Sequence, residues 1–111
     1  MLRENDQIHP NASEFQSPHE QYVSVNNVKI YYECANMDQK GNDQPALLFL
    51  HGWTANRFRL HPLYIQYVHE DIPVFRFDLR GHGWSQKHGI KDYSLQTMKQ
   101  DLDQFIQKII I

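Results

Sequence analysis

Residues 47–53 read Leu47-Leu48-Phe49-Leu50-His51-Gly52-Trp53, and residues 77–85 read Phe77-Asp78-Leu79-Arg80-Gly81-His82-Gly83-Trp84-Ser85. Each stretch begins with apolar residues typical of a buried strand and ends in a loop that contains glycine. Glycine lets a backbone turn tightly and approach a bound molecule closely. Two such loops at strand ends therefore predict a place where polar backbone groups meet a ligand.

At these residues the sequence resembles the α/β-hydrolase family, whose members carry His-Gly-x after the third strand and Asp-x-Arg-Gly-x-Gly-x-Ser after the fourth. The resemblance extends over about residues 22–111. It implies the strand order 1-2-4-3 for the first four strands. It also implies hydrolysis of a small-molecule ester, lactone, epoxide or carbon-carbon bond through a covalent nucleophile.

The resemblance also implies roles for the motif residues. The backbone N–H of Trp53, which follows His51 and Gly52, corresponds to one of the two donors of an oxyanion hole. The second loop is implied to lie near the active site and to fix backbone there rather than to take part in chemistry. Its implied structural residues are Asp78, Arg80, Gly81, Gly83 and Ser85.

The nucleophile elbow of the family, Gly-x-Ser-x-Gly, does not occur in this sequence. Ser85 has Gly83 upstream but Lys87 where the second glycine is needed, and the other serines lack the upstream glycine. We therefore expect the truncated N-terminal portion of a hydrolase, without nucleophile, acid or catalytic histidine, that is inactive by itself. Two alternatives stay open: a non-catalytic binding module that uses a sheet edge, and one half of a split hydrolase completed by a partner C-terminal half.

The first predicted elements are a β-hairpin, a strand and a short helix. Residues 22–25 and 28–32 are β-rich runs separated by Asn26 and Asn27, which tolerate the positive φ of a tight turn. Residues 36–45 have loop composition. Residues 46–50 predict a central strand covered on both faces, and residues 61–69 predict a helix with Pro62 in its first turn.

A second strand and a longer helix complete the predicted order. Residues 72–77 predict the strand, and Ser94 can cap a helix with one apolar face. That face is formed by Leu95, Met98, Leu102, Phe105, Ile106 and Ile109. Hairpin, strand, helix, strand and helix together predict an α/β fold with a mostly parallel sheet, the N-terminal half of an α/β-hydrolase sheet.

Composition limits the remaining functions. Residues 1–20 are polar and aperiodic and are expected to form a mobile arm outside a partial hydrolase domain at residues 21–111. The net charge is -2 and the basic residues are scattered, which argues against nucleic-acid binding. No run approaches the roughly 20 apolar residues of a membrane span. The single Cys34 and the polar start of the chain favour a cytoplasmic protein.

We expect no cofactor and no metal. The glycines of residues 81–86 lack the third glycine of a dinucleotide loop, and the histidines show no recognised ligand spacing. Trp53 and Trp84 either line an apolar pocket or simply pack, and the sequence does not choose between the two.

Overall fold

The structure is a computed structural model that describes residues 21–39 and 45–111. Its sheet contains strands β1 (Tyr22–Val25), β2 (Val28–Ala35), β3 (Leu47–Phe49) and β4 (Val74–Phe77), in the order β1-β2-β4-β3. The helices are α1 (His61–His69) and α2 (Leu95–Phe105), with short 3-10 turns at Met37–Gln39 and Arg57–Leu60 and a π-helical turn at Ile106–Ile110. The α/β class and the strand order 1-2-4-3 are confirmed. The expected arm at residues 1–20 lies outside the described residues, as do residues 40–44 of the expected loop.

The predicted hairpin is confirmed. Asn26 and Asn27 have φ angles of 51° and 64°, the left-handed conformation that a two-residue hairpin turn requires. The turn is also tied to α2, because the Asn26 N–H donates to Gln104 Oε1 at 2.6 Å and its side chain donates to Asp101 Oδ1 at 3.1 Å. The two asparagines thus set the conformation of the turn, and hydrogen bonds from Asn26 attach the turn to α2.

The sheet is mixed rather than mostly parallel as expected. β1 pairs antiparallel with β2, β2 pairs antiparallel with β4, and β3 pairs parallel with β4. Of these pairs, β3 and β4 alone are joined by a crossover through a helix, which is the connection that parallel neighbours need. The carboxyl ends of β3 and β4 consequently lie side by side.

The two helices cover opposite faces of the sheet. Val74 belongs to an apolar cluster with Tyr64 and Val68 of α1, whereas Phe75 and Phe77 belong to a cluster with Phe105 of α2. Successive strand residues point to opposite faces, which explains this division. No helix in the described part of the chain is long and apolar enough to cross a lipid bilayer.

Two details of the expected core are wrong. Strand β3 lies at the end of the described sheet and its residues are half-buried, so among those residues it is neither central nor covered on both faces. Leu95 is 84% exposed, although the predicted apolar face included it. Leu95 opens the first turn of α2, ahead of Met98 and Phe105, which are buried.

Candidate functional site

Two loops meet at the carboxyl ends of β3 and β4. The Leu79 N–H donates to His51 Nε2 at 2.9 Å, and the Thr54 N–H donates to His82 Nε2 at 3.3 Å. Each loop thus supplies an imidazole acceptor to a backbone amide of the other. The two stretches singled out in the sequence form one contiguous surface.

His51 is buried as a neutral imidazole. Its Nε2 accepts a hydrogen bond, so the ring hydrogen is on Nδ1, which lies 2.7 Å from the Gly52 carbonyl oxygen and donates to it. Burial lowers the pKa of His51, against the raising effects of the Gly52 hydrogen bond and of Asp78. The lowered pKa favours the neutral ring, and the two hydrogen bonds select the tautomer with the hydrogen on Nδ1.

The orientation of the Trp53 amide follows from the His51 side chain. In a trans peptide the carbonyl of one residue and the N–H of the next lie in one plane and point in opposite directions. The Gly52 oxygen is held by His51 Nδ1 and by the Ala55 N–H at 3.3 Å, so the Trp53 N–H is aimed the other way. To the described residues it donates no hydrogen bond, and a Cβ built on Gly52 meets no atom within 4 Å apart from those of its chain neighbours His51 and Trp53.

The two tryptophans have different surroundings. Trp53 is 56% exposed, and its ring lies 5.4 Å from the His82 ring and 6.0 Å from the Tyr93 ring. The Trp84 ring instead lies 4.9 Å from Tyr31 and 4.6 Å from the Arg57 guanidinium. Trp84 therefore packs over the cation, whereas Trp53 lies against the rings of the second loop and of Tyr93.

Asp78 orders the backbone of the second loop. Its carboxylate accepts hydrogen bonds from the Arg57 N–H and Nη1, both at 2.6 Å, and from the Trp84 N–H at 2.9 Å. The Ser85 hydroxyl donates to the Asp78 carbonyl at 2.6 Å and accepts the Tyr31 N–H at 2.9 Å. Asp78 and Ser85 are buried, and their hydrogen bonds go to the Arg57 side chain and to backbone groups that they hold in place.

The second loop needs glycine at positions 81 and 83 because both residues have positive φ and neither has room for a Cβ. Their φ angles are 75° and 52°, a region in which residues with a Cβ are strained. A Cβ on Gly83 would collide with the Asp78 carboxylate, and one on Gly81 would collide with the Tyr93 ring. The two glycines let the loop pass directly over these side chains.

Arg80 anchors the second loop to α2. Its Nε and Nη2 donate to the two carboxylate oxygens of Asp101 at 2.7 and 2.9 Å, and its Nη1 donates to the Asp92 carbonyl at 3.1 Å. The bidentate bond to Asp101 raises the pKa of Arg80 further, so the side chain is a permanent cation. Asp101 is 1% exposed, which makes this a buried ion pair.

A buried charge cluster on the α1 face was missed in the sequence. Glu33 Oε1 accepts from Arg76 at 2.8 Å, and Glu33 Oε2 lies 3.2 Å from Arg57 Nε. Arg76 also lies 2.9 Å from His61 Nδ1. Arg76 is the one charged residue among residues 72–77, whose other members are apolar and predicted a strand. The signal that could have revealed it is the pairing of Glu33 with Arg76 across β2 and β4, which requires the strand register.

An apolar cavity of about 250 Å³ opens on the α2 side of the site. It is lined by Leu50, His51, Phe77, Leu79, Leu95, Met98, Lys99 and Leu102. His51 therefore connects the cavity to the Trp53 loop. Within residues 21–39 and 45–111, no three His, Cys, Asp or Glu side chains come together as a metal site.

Comparison with known proteins identifies relatives of the chain. The model of the alpha/beta hydrolase fold family matches residues 45–111. Epoxide hydrolase 2 of Caenorhabditis elegans is 25% identical over 107 residues, which cover 92% of this chain and 28% of that protein.

Solved structures agree with that match. An esterase from Exiguobacterium antarcticum is 27% identical with a TM-score of 0.68, covering 82% of this chain and 32% of the esterase. An epoxide hydrolase from Vigna radiata is 20% identical with a TM-score of 0.69, covering 91% of this chain and 30% of the hydrolase, a likeness of fold. The chain spans less than a third of the length of each of these three proteins.

Proposed function

The chain belongs to the α/β-hydrolase fold family, and on this premise we propose that it supplies one half of the oxyanion hole of a hydrolase acting on a small molecule. The donor is the Trp53 N–H. The nucleophile and the second donor lie on a segment outside this sequence, so the chain by itself is inactive.

The observation that carries the proposal is the orientation of the Gly52–Trp53 peptide. An oxyanion donor must be aimed before the charge develops and must not be consumed by another acceptor. His51 and the Ala55 N–H hold the Gly52 oxygen on one side of the peptide, and open space lies beside Gly52. Because the Trp53 N–H has no acceptor among the described residues, it is available to a substrate oxygen.

The proposed chemistry is hydrolysis through a covalent intermediate. A nucleophile on that outside segment attacks the substrate and either displaces the alcohol of an ester or breaks a ring C–O bond of an epoxide, and the released alkoxide takes up a proton, which leaves a covalent ester intermediate. Water then attacks the carbonyl carbon of this intermediate, and its carbonyl oxygen gains negative charge as the carbon becomes tetrahedral. Collapse of the tetrahedral species breaks the bond to the nucleophile and releases the acid or the diol. A preorganised amide stabilises that charge by about 3 kcal/mol. The esterase and epoxide hydrolases among the relatives support a neutral ester or epoxide as the substrate class. The apolar cavity next to His51 supports an apolar substituent on it.

The test compares the chain alone with an assembled protein. We would assay p-nitrophenyl acetate and styrene oxide with the purified 111-residue chain and with the chain fused to the unmatched C-terminal part of the Exiguobacterium antarcticum esterase. We expect background rates from the chain and turnover from the fusion. W53P, which removes the amide hydrogen, should lower kcat of the fusion about 100-fold, whereas W53A keeps the donor and should preserve kcat within about tenfold. Saturable hydrolysis by the chain alone, or an unchanged kcat of the fusion that carries W53P, would overturn the proposal.

The end position of β3 supports a second candidate, a docking module. Among the described strands, β3 pairs with β4 alone, so its other edge can accept a strand. The exposed side chains of Leu50, which directly follows β3, and of Leu95 line the cavity. A partner that adds a strand there is either the missing half of a split hydrolase or an unrelated protein.

Sedimentation and melting separate these candidates. A monomeric chain with a cooperative melt supports an independent docking module. A chain that aggregates, and becomes soluble only when a C-terminal hydrolase segment is co-expressed, supports the split hydrolase.

A further inference from the structure

We propose that His82 is a positioning residue of the Trp53 loop. With His51 it forms a two-histidine clamp, in which one imidazole fixes the peptide before Trp53 and the other fixes the peptide after it. The importance of the clamp for hydrolysis rests on the proposed function of the Trp53 amide, but its existence does not.

The two peptides that flank Trp53 are held by different side chains. His51 Nδ1 donates to the Gly52 oxygen, which belongs to the Gly52–Trp53 peptide. His82 Nε2 accepts the Thr54 N–H, which belongs to the Trp53–Thr54 peptide. Because each peptide is planar, fixing one of its polar atoms fixes the whole plane. The backbone of Trp53 thus lies between two planes that are each hydrogen-bonded to an imidazole.

Thr54 needs such a restraint because its φ is 65°. A β-branched residue rarely adopts the left-handed region, because its Cβ substituents crowd the backbone there, and it stays there only when its surroundings hold it. The hydrogen bond from the Ala55 N–H to the Gly52 oxygen closes a turn around Thr54, and the bond from the Thr54 N–H to His82 adds a side-chain restraint at this position. Without the His82 bond, the turn hydrogen bond alone restrains the Trp53–Thr54 peptide, and the plane of that peptide is less firmly fixed.

The tautomer of His82 follows from its second nitrogen. Nδ1 lies 2.8 Å from the Arg80 carbonyl oxygen, which can only accept, so Nδ1 carries the hydrogen and Nε2 keeps a free lone pair for Thr54. His51 has the same tautomer for the same reason. The Arg80 backbone is a firm support for His82, because the Arg80 side chain is bound to buried Asp101.

Aromatic contacts complete the clamp. The His82 ring lies 5.2 Å from the His51 ring and 5.4 Å from the Trp53 ring. A phenylalanine at position 82 would preserve these ring contacts and remove both hydrogen bonds. A glutamine would keep an acceptor and a donor on a side chain of similar reach.

The test is made by NMR on the 15N-labelled chain without substrate, at about pH 8, where an ordinary imidazole is neutral. In H82F the Thr54 amide should exchange with solvent about fivefold faster, as expected for loss of one hydrogen bond. The Leu79 amide, which is held by His51, serves as the internal reference and should be unchanged. H82Q should restore the Thr54 rate to within about twofold, and H88F, at an exposed histidine, should change neither amide.

The tautomer is measured independently of any variant. Long-range 1H–15N correlations should show the hydrogen of both His51 and His82 on Nδ1. A hydrogen on Nε2 of His82, or equal Thr54 exchange in the wild-type chain and H82F, would overturn the clamp. Neither readout depends on turnover. The clamp could therefore be disproved while W53P still lowers kcat of the fusion, and the clamp could be confirmed while W53P has no effect.

Discussion

Arg57 donates to Asp78 through both its backbone N–H and its guanidinium, at 2.6 Å in each case. Both side chains are at most 1% exposed. The pair joins the 3-10 turn that follows the Trp53 loop to the loop that follows β4. The position of the candidate oxyanion donor therefore depends on a buried ion pair whose two members lie 21 residues apart in sequence.

Removing the charge of Asp78 should destabilise the fold strongly. D78N leaves Arg57 partly uncompensated in a buried position, and we expect a loss of about 3 kcal/mol in the free energy of unfolding, measured by urea denaturation. D71N is the matched control, because Asp71 is exposed and its φ of 60° suits asparagine. The control should lie within about 0.5 kcal/mol of the wild type. Equal midpoints for the two variants would contradict a structural role for Asp78.

Alanine at Gly83 should cost more than alanine at Gly89. Both glycines have positive φ, 52° and 76°, so each substitution carries a backbone cost of about 1 kcal/mol. At Gly89 an added Cβ meets nothing within 4 Å, whereas at Gly83 it collides with the Asp78 carboxylate. G83A should therefore lose at least about 2 kcal/mol more than G89A in the same denaturation experiment. A similar loss in both would mean that the loop can move away from Asp78.

Locally encoded features were predictable from the sequence. The hairpin turn follows from Asn26 and Asn27, because few residues tolerate positive φ at both positions. The start of α2 follows from Ser94, whose hydroxyl accepts the Thr97 N–H. The meeting of the two glycine loops was predictable from the order of strands and helices, because the carboxyl ends of neighbouring parallel strands lie together.

Features that depend on register and three-dimensional context were not predictable. Glu33 and Arg76 look unrelated in the sequence, and only the pairing of β2 with β4 makes them partners. The roles of Arg57 and His82 depend on loop conformations that no spacing rule encodes. The exposure of Leu95 reflects where α2 begins to contact the sheet, which periodicity alone does not give.

The ion pair between Arg80 and Asp101 should stabilise the fold more than the exposed ion pair between Lys99 and Asp103. D101A leaves Arg80 buried without its bidentate partner and also removes an acceptor of Asn26, so we expect a loss of about 3–5 kcal/mol. D103A is the matched control, because Asp103 pairs with Lys99 on the exposed face at i,i+4. That pair contributes about 0.5 kcal/mol or less. Thermal or urea unfolding of both variants measures the contrast, and a D101A loss below about 1 kcal/mol would show that Arg80 finds another partner or reaches water.

The lowered pKa of His51 predicts that the chain loses stability on mild acidification. In the unfolded chain the imidazole takes a proton as the pH falls through about 6.5, but in the folded chain burial delays protonation to a lower pH. Between these two values the unfolded state binds more protons, so the His51 contribution is fully present above about pH 6.5 and is lost as the pH falls through the folded pKa. H51Q keeps polar groups near both hydrogen-bond positions but cannot titrate, so its stability should depend less on pH over that window. In the wild type, the Leu79 amide shift should follow the His51 titration, because protonation of Nε2 removes its acceptor. A His51 midpoint at or above about 6.5 by NMR would contradict the burial of a neutral ring.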